Sequence, residues 1–267
     1  MLINTIMVKT THRIDQLFQQ KKEKILSVYY TAGFPQLDDT VSIAEYLQQA
    51  GADLIEIGMP YSDPLADGPT IQDSSQQALD NGMSIKVLLQ QLQDIRQKVD
   101  IPLILMGYLN PVIQYGVEKF CEQCQEIGID ALIIPDLPMQ AYLEEYKTMF
   151  ESYGLYNIFL ITPQTSEERI RLIDEHSHGF IYMVSSASIT GARGSITKEQ
   201  ITYFNRIQAM QLHHPQLIGF GISNHETFSQ TCQYAQGAII GSAFIKTLAE
   251  SQDLEKDITA FIGSVRN

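Results

Sequence analysis

The sequence predicts a single (β/α)8 TIM barrel with an extra N-terminal helix, spanning residues 1–267, and three observations carry that expectation. Short runs rich in Ile, Val, Leu and Tyr recur along the chain, each followed by a polar turn and an amphipathic stretch. The runs are nearly continuously apolar rather than alternating, as parallel strands covered on both faces require. A barrel also takes about 250 residues as one domain, close to the 267 present. A doubly wound open sheet is the structural alternative. It would more often carry a Gly-x-Gly-x-x-Gly turn after its first strand, and Thr31-Ala32-Gly33-Phe34-Pro35 is not that turn.

The elements follow in order. Thr11–Gln19 reads as a helix ahead of the barrel, suited to cover its N-terminal end. Ile25–Thr31 is the first strand. Thr40–Gln49 then sets Val41, Ala44, Leu47 and Gln48 at helical spacing, and Gly51 is the stop. The later strands are read at Asp53–Gly58, Ile101–Met106, Ala131–Pro135, Tyr156–Thr162, Phe180–Ser185, Leu217–Gly221 and Gly237–Gly241. Helical patterns separate them at Ser84–Lys98, Val117–Ile127, Gln140–Tyr153, Glu167–His178, Lys198–Leu212 and His225–Tyr234, and Ala243–Ala249 and Leu254–Val265 close the chain.

Composition narrows the function classes. A net charge of −13 argues against a nucleic-acid partner, which needs clustered Lys and Arg. It leaves room for a small phosphorylated ligand bound at a locally positive site. Three cysteines, Cys121, Cys124 and Cys232, imply a reducing compartment without a disulfide framework. The apolar runs are strand-length, and the N-terminus has no apolar core of a secretory signal, so the expectation is a cytoplasmic protein. Cys121-Glu122-Gln123-Cys124 has redox spacing but lies in a helical pattern without a second pair. His176, His178, His213 and His214 read as surface residues.

Barrel enzymes carry their chemistry at the C-terminal ends of the strands. Glu56 is the anomaly there: a carboxyl inside the apolar run Asp53-Leu54-Ile55-Glu56-Ile57-Gly58. Burial raises a carboxyl pKa, which suits a group that gives and takes protons near neutrality. A buried pairing with a base is the purely structural alternative. The loop after it, stiffened by Pro60, Pro64 and Pro69, presents Asp63 and Asp67. A second carboxylate could fold over the same cavity; turn capping and a paired-Asp magnesium site, with Asp136 as a distant third ligand, are the alternatives. After the sixth, seventh and eighth strands come the small polar stretch Ser185–Gly194, then Gly219-Phe220-Gly221, then Gly241-Ser242. That is where barrels build a phosphate cup from loop amides and a helix N-terminus.

The stretch Ile55-Glu56-Ile57-Gly58-Met59-Pro60-Tyr61-Ser62-Asp63-Pro64-Leu65-Ala66-Asp67-Gly68-Pro69-Thr70-Ile71-Gln72 strongly resembles the signature of the tryptophan synthase alpha chains. Tyr30-Thr31-Ala32-Gly33, Met106-Gly107-Tyr108-Leu109-Asn110-Pro111, Pro135-Asp136-Leu137-Pro138, Ile189-Thr190-Gly191-Ala192-Arg193 and Gly219-Phe220-Gly221-Ile222-Ser223 extend the likeness over nearly the whole chain. The resemblance implies cofactor-free retro-aldol cleavage of indole-3-glycerol phosphate to indole and glyceraldehyde 3-phosphate. It implies Glu56 as general acid/base and Asp67 as the acceptor of the indole N–H. Tyr29 and Tyr182 would line the indole pocket with Thr31, and Thr190 would position Asp67 as the strand-six segment closes. Gly191, Phe220, Gly221, Gly241 and Ser242 would hold the phosphate end. Asp63 and Asn110 would face a beta chain in an α2β2 complex, and pyridoxal phosphate would belong to that partner alone. A stand-alone lyase, another phosphate-binding barrel such as a sugar-phosphate isomerase, and a catalytically idle activator of a beta chain are the competing readings.

Overall fold

The computed structural model describes residues 12–64, 67–185, 196–219 and 221–267. Its strands are β1 (Ile25–Thr31), β2 (Leu54–Gly58), β3 (Leu103–Met106), β4 (Ala131–Ile133), β5 (Tyr156–Asn157), β6 (Leu160–Ile161), β7 (Ile181–Val184), β8 (Gln216–Gly219) and β9 (Gly237–Ile240). All neighbours are parallel, in the order β5-β4-β3-β2-β1-β9-β8-β7-β6. The two ends of that order are successive pieces of one stave. Ile158 N donates to Leu132 O at 2.9 Å on one side, and Tyr182 N donates to Phe159 O at 2.9 Å on the other. The ring is thereby closed. With β5 and β6 counted as one, the nine segments make the eight staves that the sequence predicts.

Side chains alternate across each strand, so the ring sorts them into two apolar layers. Ile25, Leu54, Ile104, Ile133, Ile158, Leu217 and Ile239 fill the interior. A larger layer between strands and helices includes Leu26, Val28, Ile55, Ile57, Leu105, Met183 and Ile240. Helix α1 (Arg13–Gln20) contributes Ile14, Leu17 and Phe18 to the interior cluster. The Phe18 ring lies 5.9 Å from that of Phe180, just before β7. The extra helix thus plugs the N-terminal end of the ring, as its sequence suggests. Of its predicted span, Thr11 lies outside the described residues.

The other helices are α2 (Thr40–Ala50), α3 (Pro69–Asp80), α4 (Ile85–Gln91), α5 (Leu109–Tyr115), α6 (Val117–Ile127), α7 (Met139–Ala141), α8 (Lys147–Ser152), α9 (Glu167–His176), α10 (Lys198–Ala209), α11 (His225–Thr231), α12 (Ser242–Glu250) and α13 (Leu254–Arg266), with a π-helical segment at Tyr142–Tyr146. Neither α3 nor α5 is anticipated from periodicity. The buried face of α3 is Ile71, Ser74, Ser75 and Ala78, and its two serines interrupt the apolar stripe. Its start was nevertheless marked: Gly68 is the N-cap and Pro69 occupies the first turn. α5 has seven residues and buries only Val112, too little for a periodic signal. The predicted helix Ser84–Lys98 breaks after Gln91, and Ile95–Gln97 forms a 3-10 turn. On α2, Ile43 is buried where Gln48 was expected, and Gln48 Oε1 instead accepts from Asp100 N at 2.7 Å. His213 is exposed, as expected, and His214 is half-buried; both imidazoles and both backbone N–H groups converge on the buried carboxylate of Asp174.

One polar knot ties the lower end together. Asp130, before β4, is 3% exposed; its carboxylate pairs with Arg13 at 3.0 Å and with Arg96, and accepts from Leu103 N at 2.8 Å. Arg96 also donates to the carbonyls of Gly128, Val99 and Ile101. The exposed Arg13 contact is worth little. Removing Asp130, however, leaves the part-buried Arg96 without its counter-charge, and breaking such a pair costs about 3 kcal/mol. Asp130→Ala is therefore expected to lower the unfolding free energy by about that amount, read as an earlier midpoint in urea titrations. Turnover per folded molecule should be unchanged, because the knot lies at the opposite end from the strand C-termini; a midpoint equal to wild type would remove this account.

Candidate active site

Register places the central carboxyl. Tyr29, Glu56 and Ile104 stand side by side on β1, β2 and β3. Glu56 is two residues after Leu54 and shares its inward face. It is 0% exposed. Ser27 Oγ donates to its Oε1 at 2.7 Å, while Oε2 has no hydrogen-bond partner among the described residues. Burial drives the carboxyl up to about 7, with the Ser27 bond pulling the other way. Among the described residues its partner is a neutral hydroxyl and not a buried base.

The loop after β2 separates the two aspartates. Asp63 is exposed and accepts from Ser62 Oγ at 2.6 Å. Asp67 is partly buried and accepts from the Tyr108 hydroxyl at 2.8 Å. Burial raises its carboxyl and the Tyr108 bond opposes that rise. The loop is shorter than the sequence suggests, because Pro69 already begins α3. Gln72 Nε2 fixes its end by donating to Asp67 O at 2.8 Å. The two carboxylates turn to different neighbours, Ser62 and Tyr108. No group of three or more His, Cys, Asp or Glu is placed to hold a metal among the described residues.

Asp67 borders a pocket walled by Tyr29, Met59, Tyr61, Met106, Tyr108 and Pro135. Tyrosine rings and methionines line it beside the carboxylate of Asp67, and Ser75 adds a further polar group. Tyr29 and Tyr182 complete the arrangement. Burial pushes both phenols up, and both feel the charges of Glu56 and Asp67, so the four groups share one field. Each tyrosine hydroxyl sits where a glycine lacks a side chain. A Cβ on Gly58 would lie 2.1 Å from the Tyr29 hydroxyl, and one on Gly219 would lie 2.3 Å from that of Tyr182.

The remaining predicted residues distribute as follows. Thr31 is fully buried and its Oγ1 is bonded to Ser74 Oγ at 2.7 Å, with the Tyr29 hydroxyl 3.5 Å away, so it braces the pocket wall. Gly221, after β8, has φ +81° and open space around it. Gly241 is the N-cap of α12 and Ser242 its first residue. Among the described residues no side chain caps that helix, and the first internal bond runs from Ile245 N to Gly241 O. Its leading N–H groups are therefore available to an anion. Gly241 also adjoins Tyr29. Asn110, on α5, is exposed, with Nδ2 3.5 Å from the Tyr61 hydroxyl. Thr190, Gly191 and Phe220 lie outside the described residues.

Two functional contacts escape the sequence reading. Ser27 could have been found by alternation: it is two residues before Tyr29, which stands opposite Glu56. Tyr108 could have been paired with Asp67 because both follow neighbouring strands, β2 and β3.

A desolvated carboxyl in a barrel lumen, beside a second carboxylate on an aromatic pocket, defines an acid–base enzyme of the barrel class. Comparison with known proteins makes the family specific. The family model of the tryptophan synthase alpha chain matches residues 16–266, and the chain belongs to that family. The tryptophan synthase alpha chain of Flavobacterium johnsoniae is 62% identical over 255 residues, covering 96% of this chain and 100% of that protein. The one from Phocaeicola vulgatus is 53% identical over 257 residues, again 96% and 100%. Among solved structures, the tryptophan synthase alpha chain of Legionella pneumophila superposes with a TM-score of 0.86 at 34% identity, covering 96% of each chain. Tryptophan synthase from M. tuberculosis in an aminoacrylate-bound form gives 0.83 at 29% identity, covering 96% of this chain and 98% of that one.

Proposed function

We propose that this chain cleaves indole-3-glycerol phosphate to indole and glyceraldehyde 3-phosphate, with Glu56 as the acid/base and Asp67 as the electrostatic partner of the ring nitrogen. The observation that carries this reading is Glu56 itself: a carboxyl 0% exposed, without a counter-charge among the described residues, and raised to about 7. Such a group holds a proton near neutrality and can release it.

The order of events follows from the bond to be broken. The C3–C1′ electrons can leave only toward a ring made electron-poor, so C3 is protonated first, by Glu56. Positive charge then develops at the ring N–H, where Asp67 accepts a hydrogen bond; preorganised charge of this kind is often the largest catalytic term. Glu56, now a carboxylate, takes the proton of the C1′ hydroxyl as the carbonyl forms and the C3–C1′ bond breaks. The proton given equals the proton recovered, and no redox partner is needed. Tyr29 and Tyr182 flank the ring, and Thr31 braces Tyr29. We assign the phosphate to Gly221, Gly241 and Ser242 across the barrel mouth; the family resemblance assigns Gly191 and Phe220 to the same end of the substrate and Thr190 to the positioning of Asp67.

We assign the exposed Asp63 and Asn110 to the interface with a beta chain that carries pyridoxal phosphate and receives the indole in an α2β2 complex in the cytoplasm. Ile113, 47% exposed, lies one turn along the same helix from Asn110. The deciding experiment measures indole release by the purified chain, alone and with a beta chain. Slow release alone that rises on adding the partner is expected. Full activity alone favours the stand-alone lyase and sinks the two-chain reading; no release under either condition sinks the reaction itself.

A further inference from the structure

We infer that Ser27 is a positioning residue of this reaction: its hydroxyl engages Oε1 of Glu56 and so makes Oε2 the oxygen that carries and delivers the proton. The inference rests on the acid/base reading of Glu56 above and adds to it which atom acts and what selects that atom.

Ser27 is a polar interruption in the strand run Ile25-Leu26-Ser27-Val28-Tyr29-Tyr30. It is 0% exposed. By alternation it faces the lumen with Ile25 and Tyr29, against a wall that is otherwise aliphatic and aromatic. A hydroxyl buried there is destabilising unless it is bonded. Its bond is the 2.7 Å donation to Glu56 Oε1. Oε1 is thereby occupied as an acceptor, and Oε2 has no partner among the described residues. When the carboxyl takes up a proton, the site open to it is Oε2. That proton goes to the ring carbon, and the hydroxyl proton of the substrate returns to the same oxygen. The Ser27 proton stays on Ser27 throughout. A donor aimed at one oxygen also favours the ionised carboxyl, which eases release of the proton.

The test uses Ser27→Ala and the pair Ser27→Thr and Ser27→Val, whose side chains differ by the hydroxyl. The pair keeps the comparison valid if the alanine variant packs poorly. Two readouts are taken on each purified protein: the pH profile of kcat/KM, and the 13C NMR titration of the Glu56 carboxyl. Without the donor, the protonated carboxyl is favoured, so both titrations move to higher pH. A hydrogen bond to a charged group predicts a displacement of about one pH unit. Ser27→Ala and Ser27→Val should show it, and Ser27→Thr should stay with the wild type. Coincident profiles in all the proteins, or equal displacement in the Thr and Val variants, would overturn the inference. A carboxyl titration that moves while the kcat/KM limb stays fixed overturns it too. Because the NMR titration reads Glu56 directly, it still reports the action of Ser27 if turnover by Glu56→Gln shows the acid/base reading to be wrong.

Discussion

Glu56→Gln is expected to reduce cleavage of indole-3-glycerol phosphate on the order of 10,000-fold, about 5 kcal/mol in the barrier, while leaving substrate binding within a few-fold of wild type. The amide keeps the size of the carboxyl and can still accept the Ser27 hydrogen bond, but it neither gives nor takes a proton at any working pH. One group serves both proton transfers, so both steps are lost together. Steady-state indole release and equilibrium binding of the substrate measure the two halves; appreciable turnover by the variant would refute the acid/base role. In the wild type, the pH profile should carry the same signature. The free enzyme must start protonated at Glu56, so kcat/KM falls as pH rises through about 7, the value to which burial lifts this carboxyl. Stability gives an independent check on the sign. The folded pKa lies above the ordinary 4.5, so the folded state binds the extra proton between those values. Its stabilising share is complete below about 4.5 and is lost as pH rises through about 7, up to roughly 3 kcal/mol over the window. Glu56→Gln removes that component, so its denaturation midpoint should decline less between pH 5 and about 8 than that of the wild type.

How far the sequence carried these conclusions differed by kind of feature. The barrel was legible because each stave is buried on both faces, and runs such as Leu103–Met106 and Gly237–Ile240 are apolar at every position or nearly so. The helices α3 and α5 were not, for a physical reason in each case. Ser74 stands on the buried face of α3 because it bonds Thr31, and that contact breaks the apolar period. α5 is short and half-exposed, with Ile113 outward. The site divides similarly. Glu56 announced itself as a charge in an apolar run. Its environment did not, because Ser27 lies 29 positions away and becomes its neighbour only through the register of β1 on β2. The same holds for Tyr108 and Asp67, joined across 41 positions by adjacent strand ends. Local pattern identifies what is unusual about a residue, whereas its partner is set by strand order and register, which a single chain read along its length does not display.

Register also explains the second large effect, expected for Gly58→Ala. Gly58 ends β2 on the same face as Glu56 and lies opposite Thr31. The Tyr29 ring leans over it so closely that an added Cβ would meet the hydroxyl oxygen at 2.1 Å, Cζ at 2.6 Å and Cε2 at 2.8 Å. Three atoms of one rigid ring cannot clear that distance by a terminal rotation. The ring must therefore shift, and with it a wall of the pocket that Tyr29 shares with Asp67 and Tyr108. Overpacking of this kind costs about 1–3 kcal/mol of stability, and a misplacement near 1 Å at a reacting centre can cost roughly 100-fold in rate. Loss of kcat/KM of about that size is expected, with a cooperative but earlier unfolding transition. A double-mutant cycle with Tyr29→Ala separates the ring from the backbone. If the clash acts through the ring, removing the ring removes the clash, and the double variant should lose little more activity than Tyr29→Ala alone. Losses that simply multiply would mean that Gly58 matters for the course of β2 and the setting of Glu56, not for the space that Tyr29 occupies.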